Sequence, residues 1–156
     1  MKLLAAIFLI VTPFWFEPTQ TLPTVNAKVI AFVDAHIGKQ VDRGECWDLA
    51  NKALTFAGAK WQFPTTFGKP INYLKEPMLP GDLVQFENAK FEFKTDTSLQ
   101  RWSKIVHTGI VYKVINQTHI ILAEQNNNND KHVRLNPIDF KWLIAGKIFV
   151  YRPVDK

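Results

Sequence analysis

The sequence predicts an α+β domain in which N-terminal helices pack on an antiparallel β-sheet. Three observations lead there. Apolar residues recur at helical spacing between residues 29 and 58. From Leu83 onward the period shortens to the alternation of half-buried strands. Between them, residues 59–82 carry Pro64, Gly68, Pro70, Pro77, Pro80 and Gly81 and no period of their own, as a connecting region does.

The chain opens with Met1-Lys2, then Leu3 to Val11 without a polar side chain, then a more polar stretch ending Val25-Asn26-Ala27. A short basic start, an apolar centre and a small residue at a cut site are the layout of a secretory signal peptide. Residues 1–27 are therefore expected to be removed on export, leaving 28–156 as one domain; an uncleaved anchor is the alternative. The apolar run is shorter than the roughly 20 residues a bilayer-spanning helix needs, so no membrane span is expected after cleavage.

Val29, Ile30, Phe32, Val33 and Ile37 share a helical face that Gly38 closes. Trp47, Leu49, Ala50, Ala53, Leu54 and Ala57 define a second helix over 46–58, with Gly58 as its stop. Phe67 to Leu74 has room for a short helical turn. Leu83 to Phe86 and Lys90 to Lys94 read as strands, with 95–103 as a polar loop. Val106 to Ile115 and His119 to Glu124 are β-prone and joined by Asn116-Gln117-Thr118, a hairpin. Asn126 to Asn129 is a turn, Val133 to Leu135 a strand, Pro137 to Leu143 a short helix, and Lys147 to Tyr151 a last strand stopped by Pro153. No internal repeat and no interdomain linker interrupts this order.

Nineteen basic and fourteen acidic residues leave a net charge of +5, unchanged without residues 1–27 because Lys2 and Glu17 cancel. The charges are scattered, and no arginine-rich run or nucleic-acid motif occurs, so nucleic acid is not the expected partner. A mildly basic exported domain is drawn to anionic surfaces such as wall polymers or headgroups. The chain holds one cysteine, Cys46, so no internal disulfide can form. An unpaired cysteine in an exported protein points to a reactive thiol or an intermolecular partner.

Cys46 stands in the first turn of the second helix, where free N–H groups and the helix dipole favour an anion. The thiolate is such an anion and is the nucleophilic form. The plain reading is a small apolar residue packed in a core. A nucleophile needs a base and a group that orients the base. Of four histidines, His36 lies on the polar side of the first helix, His119 follows a turn and His132 follows the asparagine-rich loop. His107 opens a long strand, where a side chain faces a cleft while the strand stays buried. Pairing the hairpin strands brings Glu124 or Asn126 beside it; alternation sends those two to one face and Gln125 to the other. Either acceptor would hold the imidazole in its proton-accepting tautomer. Gln40, six residues before the cysteine, is a candidate partner of the Cys46 backbone N–H in an oxyanion hole.

Gly44-Glu45-Cys46-Trp47-Asp48-Leu49-Ala50, Pro80-Gly81-Asp82-Leu83-Val84, His107-Thr108-Gly109-Ile110-Val111 and Ala123-Glu124-Gln125-Asn126 together resemble a CHAP domain, a cysteine, histidine-dependent amidohydrolase/peptidase related to NlpC-type peptidases. The resemblance covers residues 30–152. It implies a papain-like fold and cleavage of amide bonds in peptidoglycan, as amidase or endopeptidase, by an exported, wall-associated or periplasmic enzyme. It makes Cys46 the nucleophile, His107 the base, and Glu124 the orienting group with Asn126 assisting. The family commonly has glutamine where Glu45 stands, and a carboxylate directed inward there would oppose a thiolate. Asp42 and Asp48 are too few oxygens for a calcium site, so no metal and no cofactor is expected. The rival readings are a catalytically silent papain-like binding module, and a secreted effector or toxin applying the same chemistry to a protein.

Overall fold

A computed structural model describes residues 21–62 and 67–156. The apolar segment Leu3 to Val11 lies outside the described residues, as does Pro64. Two helices come first: α1 (Thr24–His36) and α2 (Cys46–Ala57). A six-stranded antiparallel sheet follows, built from β2 (Lys69–Ile71), β3 (Leu83–Lys94), β4 (Leu99–Val114), β5 (His119–Glu124), β6 (Arg134–Asp139) and β7 (Leu143–Arg152). Its order is β2-β7-β3-β4-β5-β6. A small second ladder pairs β1 (Ala59–Lys60) with β8 (Val154–Asp155).

The sheet separates two apolar clusters. Leu83, Ile110 and Ala123 face the helices and meet Val29, Val33, Leu49, Ala53 and Leu54. Their neighbours Val84, Val111 and Leu122 point the other way, into a cluster with Phe86, Phe91, Ile120, Ile138 and Phe140. Both faces are buried from His107 to Val111 and buried or half-buried from His119 to Glu124, which explains the nearly continuous apolar runs there, whereas Val106 and Ile115 at the ends of the first run are exposed.

Helix α1 begins five residues before the apolar period becomes readable. The boundary expected after Ala27 falls inside it, with Val25 and Asn26 both buried. Asn26 is polar yet inward-facing: its Nδ2 donates to Pro80 O (2.8 Å) and Asp82 Oδ1 (2.9 Å). The Pro80-Gly81-Asp82 turn is thus a junction of the fold. Asp82, fully buried, accepts Leu79 N–H and two bonds from the Arg152 guanidinium at the end of β7. Gly81 has φ 86°, and a Cβ there would lie 2.6 Å from Asn26 O, so only glycine allows this approach.

Helix α2 starts at Cys46. Asp48 caps it from within, its Oδ2 accepting the N–H groups of Arg43 and Glu45 (both 3.1 Å). Gly58 ends it in the left-handed region, its N–H bonded to Leu54 O and Thr55 O.

Several expectations are corrected by the strands. Leu83–Phe86 and Lys90–Lys94 belong to one strand, and Leu99–Ser103 is strand rather than loop, because Lys94↔Leu99 through Phe91↔Trp102 extend the β3–β4 ladder. Phe91 and Trp102 stack there with centroids 5.4 Å apart, supplying cross-strand contact that the polar residues around them conceal. The region 67–74 contributes β2, paired with β7, and a turn begins only at its end, where Asn72 O accepts from Lys75 N and Glu76 N. The short helix expected over 137–143 shrinks to a 3₁₀ turn, Phe140–Trp142.

Two irregularities set the faces of the long strands. Val111 pairs with Leu122 but Lys113 pairs with Ile121, so Tyr112 is an extra residue. In β3, Asn88 has φ 49° and interrupts the pleat. Gly146 on β7 opposes it at φ 86°; a Cβ there would fall within 2.2 Å of Asn88 O.

Candidate active site

Strand β5 stops at Glu124, one residue beyond the Ala123↔Ile110 pair. This leaves the edge of β4 open at His107 and Thr108, and the start of α2 closes on it. Cys46 stands beside the His107 ring and the Thr108 backbone, both of which favour its thiolate. His107 Nε2 lies 2.6 Å from Glu124 Oε2, so Nδ1 is the nitrogen left for sulfur. The side chains of His107 and Glu124 are 9% and 2% exposed, so this hydrogen bond is shielded from water and Cys46 is the accessible end of the row.

The Tyr112 bulge is what makes this possible. Residues directly opposite in a ladder share a face, and a one-residue slip exchanges faces. Continued without the bulge from Val114↔Ile120, the ladder would put Glu124 opposite Ile110, on the helix-facing side. With it, Glu124 falls opposite Gly109 and shares the face of His107 and Val111.

Burial pushes the Cys46 thiol up, but the His107 ring, the Thr108 backbone and the Trp47 backbone outweigh it and hold the thiol below its ordinary range. Burial likewise disfavours a charged His107, and bonds to Cys46 and Glu124 more than compensate, while nearby Lys104 opposes them; the imidazole lies above its usual value. Burial raises Glu124 too, yet His107 and Lys104 bring it down to about 2. The three groups therefore form a polarised row: an ionised carboxylate, a basic imidazole and an acidified thiol.

Asn126 and Gln40 do not join that row. Asn126 has φ 57°, which ends the alternation after Glu124 and turns the side chain to Glu45, whose Oε2 accepts from Nδ2 at 2.6 Å. Gln40 is exposed and its Nε2 donates to Asp42 O within its own loop. Of the pair expected to form an oxyanion hole, only the Cys46 backbone N–H is left, at the helix start.

The roles of three residues were not visible in the sequence. Gln125, fully buried, bonds to Val41 N and O and donates to Glu45 O (2.7 Å), clamping the loop that delivers Cys46. Asn136 Nδ2 donates to Glu124 Oε1 (3.0 Å). Lys104, 8% exposed, donates from Nζ to Glu124 Oε2 at 2.7 Å. A lysine between Ser103 and Ile105 gives no periodic sign of burial; the interrupted pleat at Asn88 turns it inward. Glu45 itself pairs with Lys131 and Asn126, so its charge is compensated. Asp42 pairs with Lys52 and Asp48 with Arg43; among the described residues no cluster of His, Cys, Asp and Glu could hold a metal ion.

A cysteine on a helix N-terminus, facing a histidine in the middle of β4 rather than at its expected start and a carboxylate on the next strand, defines a domain of cysteine proteinase fold. The chain belongs to the AIM3/BBC1 cysteine proteinase-fold domain family, whose profile matches residues 20–156. It is 30% identical, in a 144-position alignment that covers 81% of this chain, to altered inheritance of mitochondria protein 3 of Debaryomyces hansenii. The aligned part is 15% of that relative. Among solved structures the fold is similar to that of Ly7917 (TM-score 0.50) and of Ly7917 with the hydrolyzing product of MDP (TM-score 0.51). Each match has 18% identity and covers 84% of this chain and 63% of the other. The resemblance to CHAP domains thus holds at the level of the papain-like fold.

Proposed function

We propose that this domain is a cysteine-dependent amide hydrolase acting on peptide substrates. The observation that carries the proposal is the row Cys46–His107–Glu124, with an acidified thiol at its accessible end. His107 takes the thiol proton, and the thiolate attacks the carbonyl carbon of the scissile amide. The developing oxyanion is stabilised at the start of α2 by the Cys46 N–H. His107 then protonates the leaving amine, and water, deprotonated by the same ring, releases the acid from the thioester. Glu124 keeps the ring oriented throughout and stabilises the imidazolium. The CHAP-like order of motifs makes the peptide stems of peptidoglycan one substrate to test and an exported enzyme the matching location; proteins are the other source of the same bond.

The test is incubation of the full chain with purified peptidoglycan and with a peptide library, beside Cys46→Ala, with products read by mass spectrometry. New amine and carboxylate ends from the wild type only are expected, and the substrate that yields them identifies the source. Cleavage that persists in Cys46→Ala, or no cleavage with a thiol as slow toward iodoacetamide as a free cysteine near pH 7, would overturn the hydrolase.

A further inference from the structure

We propose that Lys104 is a positioning residue that sets the proton balance between His107 and Cys46 by neutralising Glu124. The inference rests on the hydrolase reading of the same row. Its ground is one oxygen: Glu124 Oε2 accepts from Lys104 Nζ at 2.7 Å and from His107 Nε2 at 2.6 Å. Two groups three residues apart on one strand would ordinarily point to opposite faces. Here the break at Asn88 returns β3 and β4 to the same face on both sides of it. Phe86 pairs with His107 and Ala89 with Lys104, and all four lie on the Phe91 side of the sheet. The ammonium also lies 5.7 Å from the Phe86 ring centroid and touches Asn127 Oδ1 at 3.4 Å.

A lysine this buried is retained only where its charge is matched. Matching Glu124 has a consequence at His107. An unaccompanied buried carboxylate would keep the ring protonated; a carboxylate already paired with an ammonium attracts the second proton less. His107 is then free to cycle between base and acid. The charged and titratable groups around the ring are few: Cys46 from α2, Lys104 from its own strand, and Glu124 from β5. From β3 it meets the Phe86 ring. From β6, Asn136 contributes a neutral amide to Glu124, and Arg134, the ladder partner of Glu124, turns to Asp130.

Because Cys46 is the only cysteine in the chain, the rate of its alkylation by iodoacetamide against pH reads the couple directly and needs no substrate. Removing a unit charge that shares the Glu124 oxygen with the ring favours the imidazolium over the neutral imidazole. In Lys104→Met the upper step of the profile, where the imidazolium loses its proton beside the thiolate, moves to higher pH by roughly one unit. Lys104→Gln, which keeps a donor to Glu124 without the charge, moves it the same way, and Lys104→Arg keeps the wild-type profile. A structural lysine would not distinguish Gln from Arg. Wild-type profiles in Met and Gln variants that melt cooperatively would overturn the role of Lys104. If the wild-type profile instead equals that of His107→Ala, the couple itself is absent and the hydrolase reading fails with it.

Discussion

Replacement of Glu124 by glutamine tests the site where stability and chemistry meet. The side chain is 2% exposed, so solvent screening gives little discount. Its carboxyl lies at about 2 in place of 4.5, which corresponds to about 3 kcal/mol of folding stability at neutral pH. The sign follows from the depressed value: the contribution is complete above the unfolded carboxyl's pKa and disappears as pH falls through about 2. The substituted amide would still accept from His107, but Lys104 would remain buried without a counter-charge, a situation that costs about 3–5 kcal/mol when one partner of a buried pair is removed. Urea unfolding followed by tryptophan fluorescence should show Glu124→Gln about 3–5 kcal/mol less stable than wild type at pH 7. The gap should shrink to about 1 kcal/mol at pH 2, where the wild type has lost about half of the charge and most of its contribution to stability. A gap of equal size at both pH values would refute the view that Glu124 acts through its ionised form.

Two other outcomes are expected. A chain beginning at Lys28 lacks Val25 and the two Asn26 bonds to the Pro80–Asp82 turn, and should be about 3 kcal/mol less stable to urea than one beginning at Thr21; equal midpoints would show that the first turn of α1 carries no weight. Lys131→Met leaves Glu45 without its ammonium partner and should slow Cys46 alkylation near pH 7 about two- to threefold at low salt. That effect should fade at high salt, and a salt-independent loss would assign it to loop structure instead.

Much of the site was legible because its parts are local. Cys46 follows a glycine-bearing loop and precedes an apolar period, so the sequence places it on a helix start. His107 and Glu124 sit at the far ends of two runs joined by a short turn, so pairing alone brings them near each other. Asn126 was misplaced because alternation was carried past the last strand residue, and a positive φ ended it. Gln40 was misplaced because proximity along the chain says nothing of which carbonyl an amide will choose.

What the order of residues determined by itself is therefore the class of fold, the helix that begins at Cys46, and the strands that bear His107 and Glu124. These depend on periodicity, capping and turn chemistry, all of which act within a few residues. What only the tertiary structure decided is which side chains share a face. The extra residue at Tyr112 and the interrupted pleat at Asn88 each exchange the faces of everything beyond them, and neither leaves a mark on the apolar pattern. Those two irregularities carry Glu124 and Lys104 to the side of the sheet where His107 stands.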